Sequence, residues 1–353
     1  MATSAEISTL LAPATVEHPR QSEASIVLLA DGRLLAAWSD FYAGLWGDEG
    51  AARIVGRWSE DQGTTWGEPF VLQENIGRIN CMSASLLALP SGRLLLVFGR
   101  KDGQGGSANA SAVLDAMVRR SDDGGHSWTE PRNITPGGAY WCMTNDRLVR
   151  LSSGRIVYPM SRSGQGCHVW LSDDDGLSWR QGRGTARPDE GTAYEEPTVV
   201  ELSGGRVGMF IRTNTGNLHM FRSADGGDSW TPWKTHPPDM CGHPDSGPNA
   251  ARSPCMVKRI PATGDLLLVW NNNRVRTPLV SAVSSDEGQS WQHIRAIEPM
   301  DGWPPRLTHA YPSVAFQGNW VHLTYWETHS HPTAERFIHL RYRRLPMEWF
   351  YQG

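Results

Sequence analysis

Glu195 and Glu196 stand side by side in the stretch AYEEPTVVELSGGRVGMFIRT (193–213), which turns at Gly204-Gly205 and ends on Arg212. A pair of carboxylates beside a buried strand is costly unless a cation or a proton donor faces it. Arginine meets that need: its planar guanidinium stays charged and can grip a carboxylate through two parallel hydrogen bonds. The same residue types serve two ends, proton transfer in a reaction or a rim salt bridge worth little. Of 33 basic residues only Lys101, Lys234 and Lys258 are lysines. Such an excess of arginine suits carboxylate recognition, and it also follows from biased base composition. Which reading holds depends on the elements that carry these side chains.

Those elements are written in two repeats. The octapeptide Ser-x-Asp-x-Gly-x-x-Trp occurs five times, as SEDQGTTW (59–66), SDDGGHSW (121–128), SDDDGLSW (172–179), SADGGDSW (223–230) and SSDEGQSW (284–291). It reads as a hairpin turn: Asp bonds backbone amides two residues on, Gly supplies unusual backbone angles and Trp packs beneath. A second repeat is a Gly-led apolar strand, in DGRLLAAW, SGRLLLVF, SGRIVYPM, GGRVGMFI, TGDLLLVW and QGNWVHLTYW. Each of its six copies follows a shorter apolar strand, and the first five precede an octapeptide. The unit is strand, turn, strand, strand, octapeptide turn, strand. Six such units predict an all-β fold, a six-bladed β-propeller of four-stranded antiparallel blades. Residues 1–353 are expected to form one domain, the N-terminal EISTLLAPATVE supplying the last blade's missing strand.

Composition narrows the function. The 353 residues include 37 Gly, 23 Pro and 16 Trp, which suits a turn-rich fold with a large core. A net charge of −4 lacks the basic footprint of a nucleic-acid binder. No window approaches a membrane span, and no basic leader with a long apolar run opens the chain. The expected location is the cytoplasm, although removal of a signal peptide would leave the same sequence. Five cysteines without a CxxC pair, and histidines without ligand spacing, give no metal site; the Cys-Met pairs at 81, 142 and 255 read as core packing.

In a propeller the first strand of each blade is innermost. The polar residues converging on the central funnel are then Arg20, Arg78, Asn80, Asn145, Asp146, Arg147, Glu195, Glu196, Arg252, His309 and Tyr311. From second-strand ends come Asp40, Arg100, Arg162, Arg212, the 271–276 segment and Glu327. Strand alternation predicts that Glu195 points away from Glu196. The connection 241–254 is either a wall of the funnel or a plain loop.

The octapeptide is the Asp-box, and with six blades the chain resembles the sialidase (neuraminidase) superfamily over nearly its whole length. Members hold a sugar carboxylate with three arginines and use a tyrosine nucleophile, a glutamate that activates it and an aspartate acid/base. A neutral nucleophile avoids repulsion at an anomeric carbon that already bears a carboxylate. The resemblance implies Tyr311 as nucleophile, Glu196 as its activator and Arg212, sixteen residues after Glu196, as the second arginine. Glu327 follows Tyr311 by the same interval and matches the carboxylate that supports the first arginine. Arg20 is the first arginine, although HPRQSEAS departs from the usual Arg-hydrophobic-Pro context. Arg276 is the third, with Arg274 and Arg252 competing. Asp48 is the acid/base, with Asp40 and Glu49 competing.

The resemblance implies an exo-glycosidase that releases terminal sialic acid or a related acidic sugar from glycoconjugates, without a metal or organic cofactor. An acidic glycan is the expected partner, with no nucleic acid and no membrane. Two alternatives remain open: a lyase or hydrolase on uronate-containing glycans, with Tyr311 or His309 as base, and a glycan-binding propeller without catalysis.

Overall fold

Each Gly-led run forms the second strand of a four-stranded antiparallel group in the computed structural model, which describes residues 6–105, 111–233, 251–303, 305–329 and 337–352. Strand β1 (Ile7–Ala12) opens the chain. The first group is β2 (Arg20–Leu28), β3 (Leu34–Phe41), β4 (Ala52–Ser59) and β5 (Phe70–Gln73). The second is β6 (Asn80–Ala88), β7 (Leu94–Asp102), β8 (Val113–Ser121) and β9 (Arg132–Asn133). The third is β10 (Val149–Arg150), β11 (Ile156–Arg162), β12 (Gly166–Ser172) and β13 (Arg180–Gln181). The fourth is β14 (Tyr194–Glu201), β15 (Val207–Thr213), β16 (His219–Ser223) and β17 (Thr231–Pro232). The fifth is β18 (Met256–Arg259), β19 (Leu266–Asn271), β20 (Leu279–Ser284) and β21 (Gln292–Glu298). The last is β22 (Leu307–Gln317), β23 (Trp320–His329) and β24 (Ile338–Pro346), completed by β1, which runs antiparallel to β24. A single parallel bridge, Arg20 to Ile338, joins this group to the first.

The apolar residues of the middle strands are buried on both faces, so each group packs against the next. Leu35 and Ala37 meet Leu86 and Leu96; Leu95 and Val97 meet Ile156 and Tyr158; Val157 and Leu171 meet Val199 and Met209. Phe210 and Trp233 meet Leu268 and Trp270, and Val269 and Val283 meet Leu323 and Tyr325. Leu340 and Tyr342 then meet Ala36 and Trp38. The core is therefore a cycle of contacts between successive sheets, which is the propeller arrangement.

The octapeptides sit between third and fourth strands, with the same hydrogen bonds in each copy. In the first, Ser59 Oγ accepts from the Gly63 amide at 2.8 Å and Asp61 accepts from the Thr65 amide at 2.8 Å. The third repeats this with Ser172, Gly176, Asp174 and Ser178. The aspartate thus reaches the amide four residues on, not two as the sequence suggests, because the left-handed glycine folds the chain back over its side chain. At Gly125 φ is 90°, and a Cβ there would lie 2.8 Å from Trp58 of the neighbouring blade. The glycine is required by conformation and by space.

Candidate active site

A cavity of about 560 Å³ opens at the centre of the ring. It is lined by Arg20, Glu23, Trp46, Asp48, Ser83, Tyr140, Glu195, Glu196, Arg212, Arg276, Tyr311 and Trp326, among others. Residues from both ends of the chain therefore meet there.

One backbone device aims several of these side chains. The register of β2 against β3 slips between Ser22 and Ser25, and that of β6 against β7 between Met82 and Ser85. The same occurs between Glu195 and Thr198 in β14 and between Ala310 and Ser313 in β22. Each bulge places one non-glycine residue in left-handed backbone: Glu23 (φ 58°), Ser83 (62°), Glu196 (44°) and Tyr311 (58°). All four line the cavity. Such conformations cost about 1–3 kcal/mol each, and bulges gather where a sheet must re-aim a side chain.

Tyr311 donates its phenolic hydrogen to Glu196 Oε1 at 3.0 Å. Arg212 hydrogen-bonds the other Glu196 oxygen and lies 3.5 Å from the Tyr311 hydroxyl. Burial, and then the Glu196 charge, push the phenol above its usual value, against the pull of Arg212 and Arg276. The phenol is therefore held protonated, with an acceptor for that proton already in contact. Glu195 does not turn away. It lies 3.2 Å from Arg212 Nε and takes two hydrogen bonds from Arg252. The bulge at Glu196 suspends the alternation that would have separated the two carboxylates.

Arg20 is buried in the wall of the same cavity. Its Nε donates to Ser22 at 2.8 Å, Nη2 to Glu23 at 2.5 Å and Nη1 to Asp48 at 2.7 Å, and it stacks 4.2 Å from the Phe41 ring. Glu23, itself bonded by the Ser83 hydroxyl at 2.7 Å, has its pKa raised by burial, with Arg20 opposing. Asp48 is held below the usual carboxylate range: burial works upwards, but the Arg20 charge and hydrogen bond, with Lys101 and Arg276, outweigh it.

Arg276 has no carboxylate partner among the described residues. It donates to the Arg252 carbonyl at 3.1 Å and lies over the rings of Tyr311 and Trp326 at 5.4 and 5.1 Å. Of the competing residues, neither Arg274 nor Arg252 lines the cavity. Asp40 faces a different cleft, bonded to His18 and Gln21, and Glu49 pairs with Lys101.

Glu327 is a correction. It does not support Arg20. It accepts from Arg341 Nε and Nη2 at 2.7 and 2.8 Å and lies 3.3 Å from His309, because the strand pairing sets it opposite His309 and His339. Its pKa falls to about 2, the His309 and Arg341 bonds overcoming burial. The buried carboxylate that meets Arg20 is Glu23. Several other funnel residues also serve their surroundings: Arg100 pairs with Asp115, Arg162 stacks on Trp141, and Asp146 binds Lys258 and Ser313. Met82, Cys142 and Met143 line the cavity wall, whereas Cys81 and Cys255 lie in the core. Most of the 241–254 connection lies outside the described residues.

Sequence reasoning missed Glu23, Ser83 and Lys101. A signal for the first two was present: Glu23-Ala-Ser, Ser83-Ala-Ser, Glu196-Pro-Thr and Tyr311-Pro-Ser share a form at one strand position. Among the described residues no group of three or more His, Cys, Asp and Glu side chains could hold a metal ion.

The sheet order, the octapeptide turns and the polar centre define a sialidase-like β-propeller. A family model described as a BNR repeat-like domain matches residues 32–323, and the chain belongs to that family. It is 28% identical over 311 residues to a sialidase of Micromonospora viridifaciens, covering 78% of this chain and 46% of that one; it thus spans about half the relative's length. Among solved structures it is similar to a leech intramolecular trans-sialidase (TM-score 0.75, 14% identity, 99% of this chain and 71% of that one). It is also similar to the intramolecular trans-sialidase of Ruminococcus gnavus (TM-score 0.74, 14% identity, 97% and 99% covered). At these identities the likeness is one of fold.

Proposed function

We propose that the protein is a retaining exo-glycosidase that removes sialic acid or a closely related acidic sugar from glycoconjugates. The observation that carries this reading is the Tyr311–Glu196–Arg212 contact on the cavity wall. Glu196 accepts the phenolic proton as Tyr311 Oη bonds to the anomeric carbon. Asp48 protonates the leaving glycosidic oxygen and then, as a carboxylate, takes a proton from the water that releases the sugar. Arg20, Arg212 and Arg276 receive the sugar carboxylate. Arg276, over the Tyr311 ring, also favours the phenolate that forms.

A lyase using His309 as base has less support, since that ring is buried against Glu327 and does not line the cavity. Hydrolysis of a fluorogenic sialoside by wild type beside Tyr311→Phe tests the reading. Cleavage that the substitution abolishes is the expected result. An unsaturated uronate product from an acidic polysaccharide, with the sialoside intact, would overturn it.

A further inference from the structure

We propose that Asp48 determines specificity: in the free protein its carboxylate occupies the seat on Arg20 that a substrate carboxylate takes, so that only a sugar bearing such a group releases Asp48 for proton transfer. The inference rests on reading the site as a glycosidase for acidic sugars and goes one step beyond it.

Arg20 has two carboxylate partners of different standing. Glu23 is 3% exposed at its side chain, fixed by the bulge and by Ser83. It is a permanent support. The Asp48 side chain is 59% exposed and bonds the guanidinium edge at Nη1. Ser22 takes Nε, Glu23 takes one Nη2 hydrogen, the Trp46 carbonyl lies 3.3 Å from Nη1 and the Phe41 ring covers the face. A carboxylate that grips both terminal nitrogens of Arg20 must therefore displace Asp48 from Nη1.

The loop need not move for this exchange. The Asp48 carbonyl accepts from Asn80 at 2.9 Å and from the buried Lys101 ammonium at 2.9 Å, and Asn80 also holds the Gly50 carbonyl at 2.9 Å. With the main chain pinned, rotation of one exposed side chain suffices.

The exchange changes what Asp48 can do. Paired with Arg20 it is ionised and has no proton to give. The cations facing it are Arg20, Lys101 and Arg276; Glu23 faces it as a carboxylate, and Glu49 is paired with Lys101. Displacement removes its closest cation and sets it near the arriving carboxylate, so its affinity for a proton rises. The step balances as substrate carboxylate plus the Asp48–Arg20 pair plus one solvent proton, giving the substrate–Arg20 pair and protonated Asp48. A neutral sugar leaves Asp48 ionised on Arg20, and no acid is formed.

Calorimetric titration of the full chain with N-acetylneuraminic acid and with glucuronic acid tests this, in two buffers of different ionisation enthalpy near pH 5. Wild type is expected to take up a substantial fraction of a proton, roughly half, per acid bound. Asp48→Asn and Asp48→Ala are expected to bind the acid about three- to ten-fold more tightly, with the uptake gone. Glu327→Gln, which removes a carboxylate whose partners are Arg341 and His309, is expected to behave as wild type. Proton-silent binding by wild type, equal tightening in the Asp48 and Glu327 variants, or no binding of either acid to any form would overturn the proposal. Sialoside cleavage by wild type separates the two ideas. Cleavage without the proton signature leaves the glycosidase and removes the gate; the signature with glucuronic acid, and no sialoside cleavage, leaves the gate and removes the sialoside reading.

Discussion

The Tyr311 hydroxyl lies 3.0 Å from Glu196 Oε1 across 115 residues of sequence, and both partners stand in left-handed backbone at a bulge. An acid–base pair that an ordinary strand would aim elsewhere is made by two local departures from the sheet. The first prediction follows from it. Tyr311→Phe, which removes one oxygen and keeps the ring, should lower kcat on a fluorogenic sialoside by roughly 10³-fold or more. Affinity for a sialic-acid-like inhibitor should change little. A kcat within ten-fold of wild type would count against Tyr311 as nucleophile.

Glu196→Gln should lower kcat by roughly 10²- to 10³-fold, since the phenol loses the acceptor for its proton. Arg212 keeps Glu195, 3.2 Å from its Nε, so the fold should survive. Single-turnover kinetics separates the effect on chemistry from one on product release.

Glu23→Ala tests the support of Arg20. It leaves a guanidinium that is 8% exposed without its buried partner, and breaking such a pair costs about 3–5 kcal/mol. Urea unfolding should show that loss. Glu327→Ala should leave Arg20 and the KM for an acidic substrate almost unchanged, because its partners are Arg341 and His309.

Glu327 has a pH signature of its own. Its folded pKa of about 2 lies below the ordinary carboxylate value. It therefore contributes stability above about pH 4.5, and that contribution fades as pH falls towards 2. Between those limits wild type should lose about 2–3 kcal/mol that Glu327→Gln does not. Unfolding midpoints measured at pH 7, 4 and 3 give the comparison.

Gly125→Ala should destabilise the second blade by about 1–3 kcal/mol, since its φ is 90° and the added Cβ would meet Trp58 at 2.8 Å. Thermal unfolding reads this directly. The sialoside KM should be unaffected in the folded fraction.

The repeats made the blades legible, because Ser59, Asp61 and Gly63 recur as chemistry and not merely as pattern. The Tyr311–Glu196–Arg212 cluster was legible only through the family resemblance, which residue type and the sixteen-residue interval carried. What stayed hidden was whatever depends on local backbone geometry. Glu195 looked as if it faced away because alternation assumes an unbroken strand. Glu327 seemed a support for Arg20 because an interval carries no information about which arginine a carboxylate meets. Glu23 went unread although it repeats the Ser83 position, since glutamate and serine share no obvious chemistry until their bulges bring the Ser83 hydroxyl to Glu23 and Glu23 to Arg20. Lys101, wholly buried, reads in sequence as an ordinary end of an apolar strand.

The pairing of β1 with β24 bears on the order in which the molecule comes into being. Strand β1 waits for residues more than 300 positions later before it finds its neighbour, as does Arg20 for Ile338. Contacts of such sequence separation form late. Arg20 and Tyr311, which face one cavity from the first and last blades, come together only when that seam shuts. A chain still emerging from the ribosome can hold finished blades, but the cavity that Arg20 and Tyr311 share is complete only after β24 has been made.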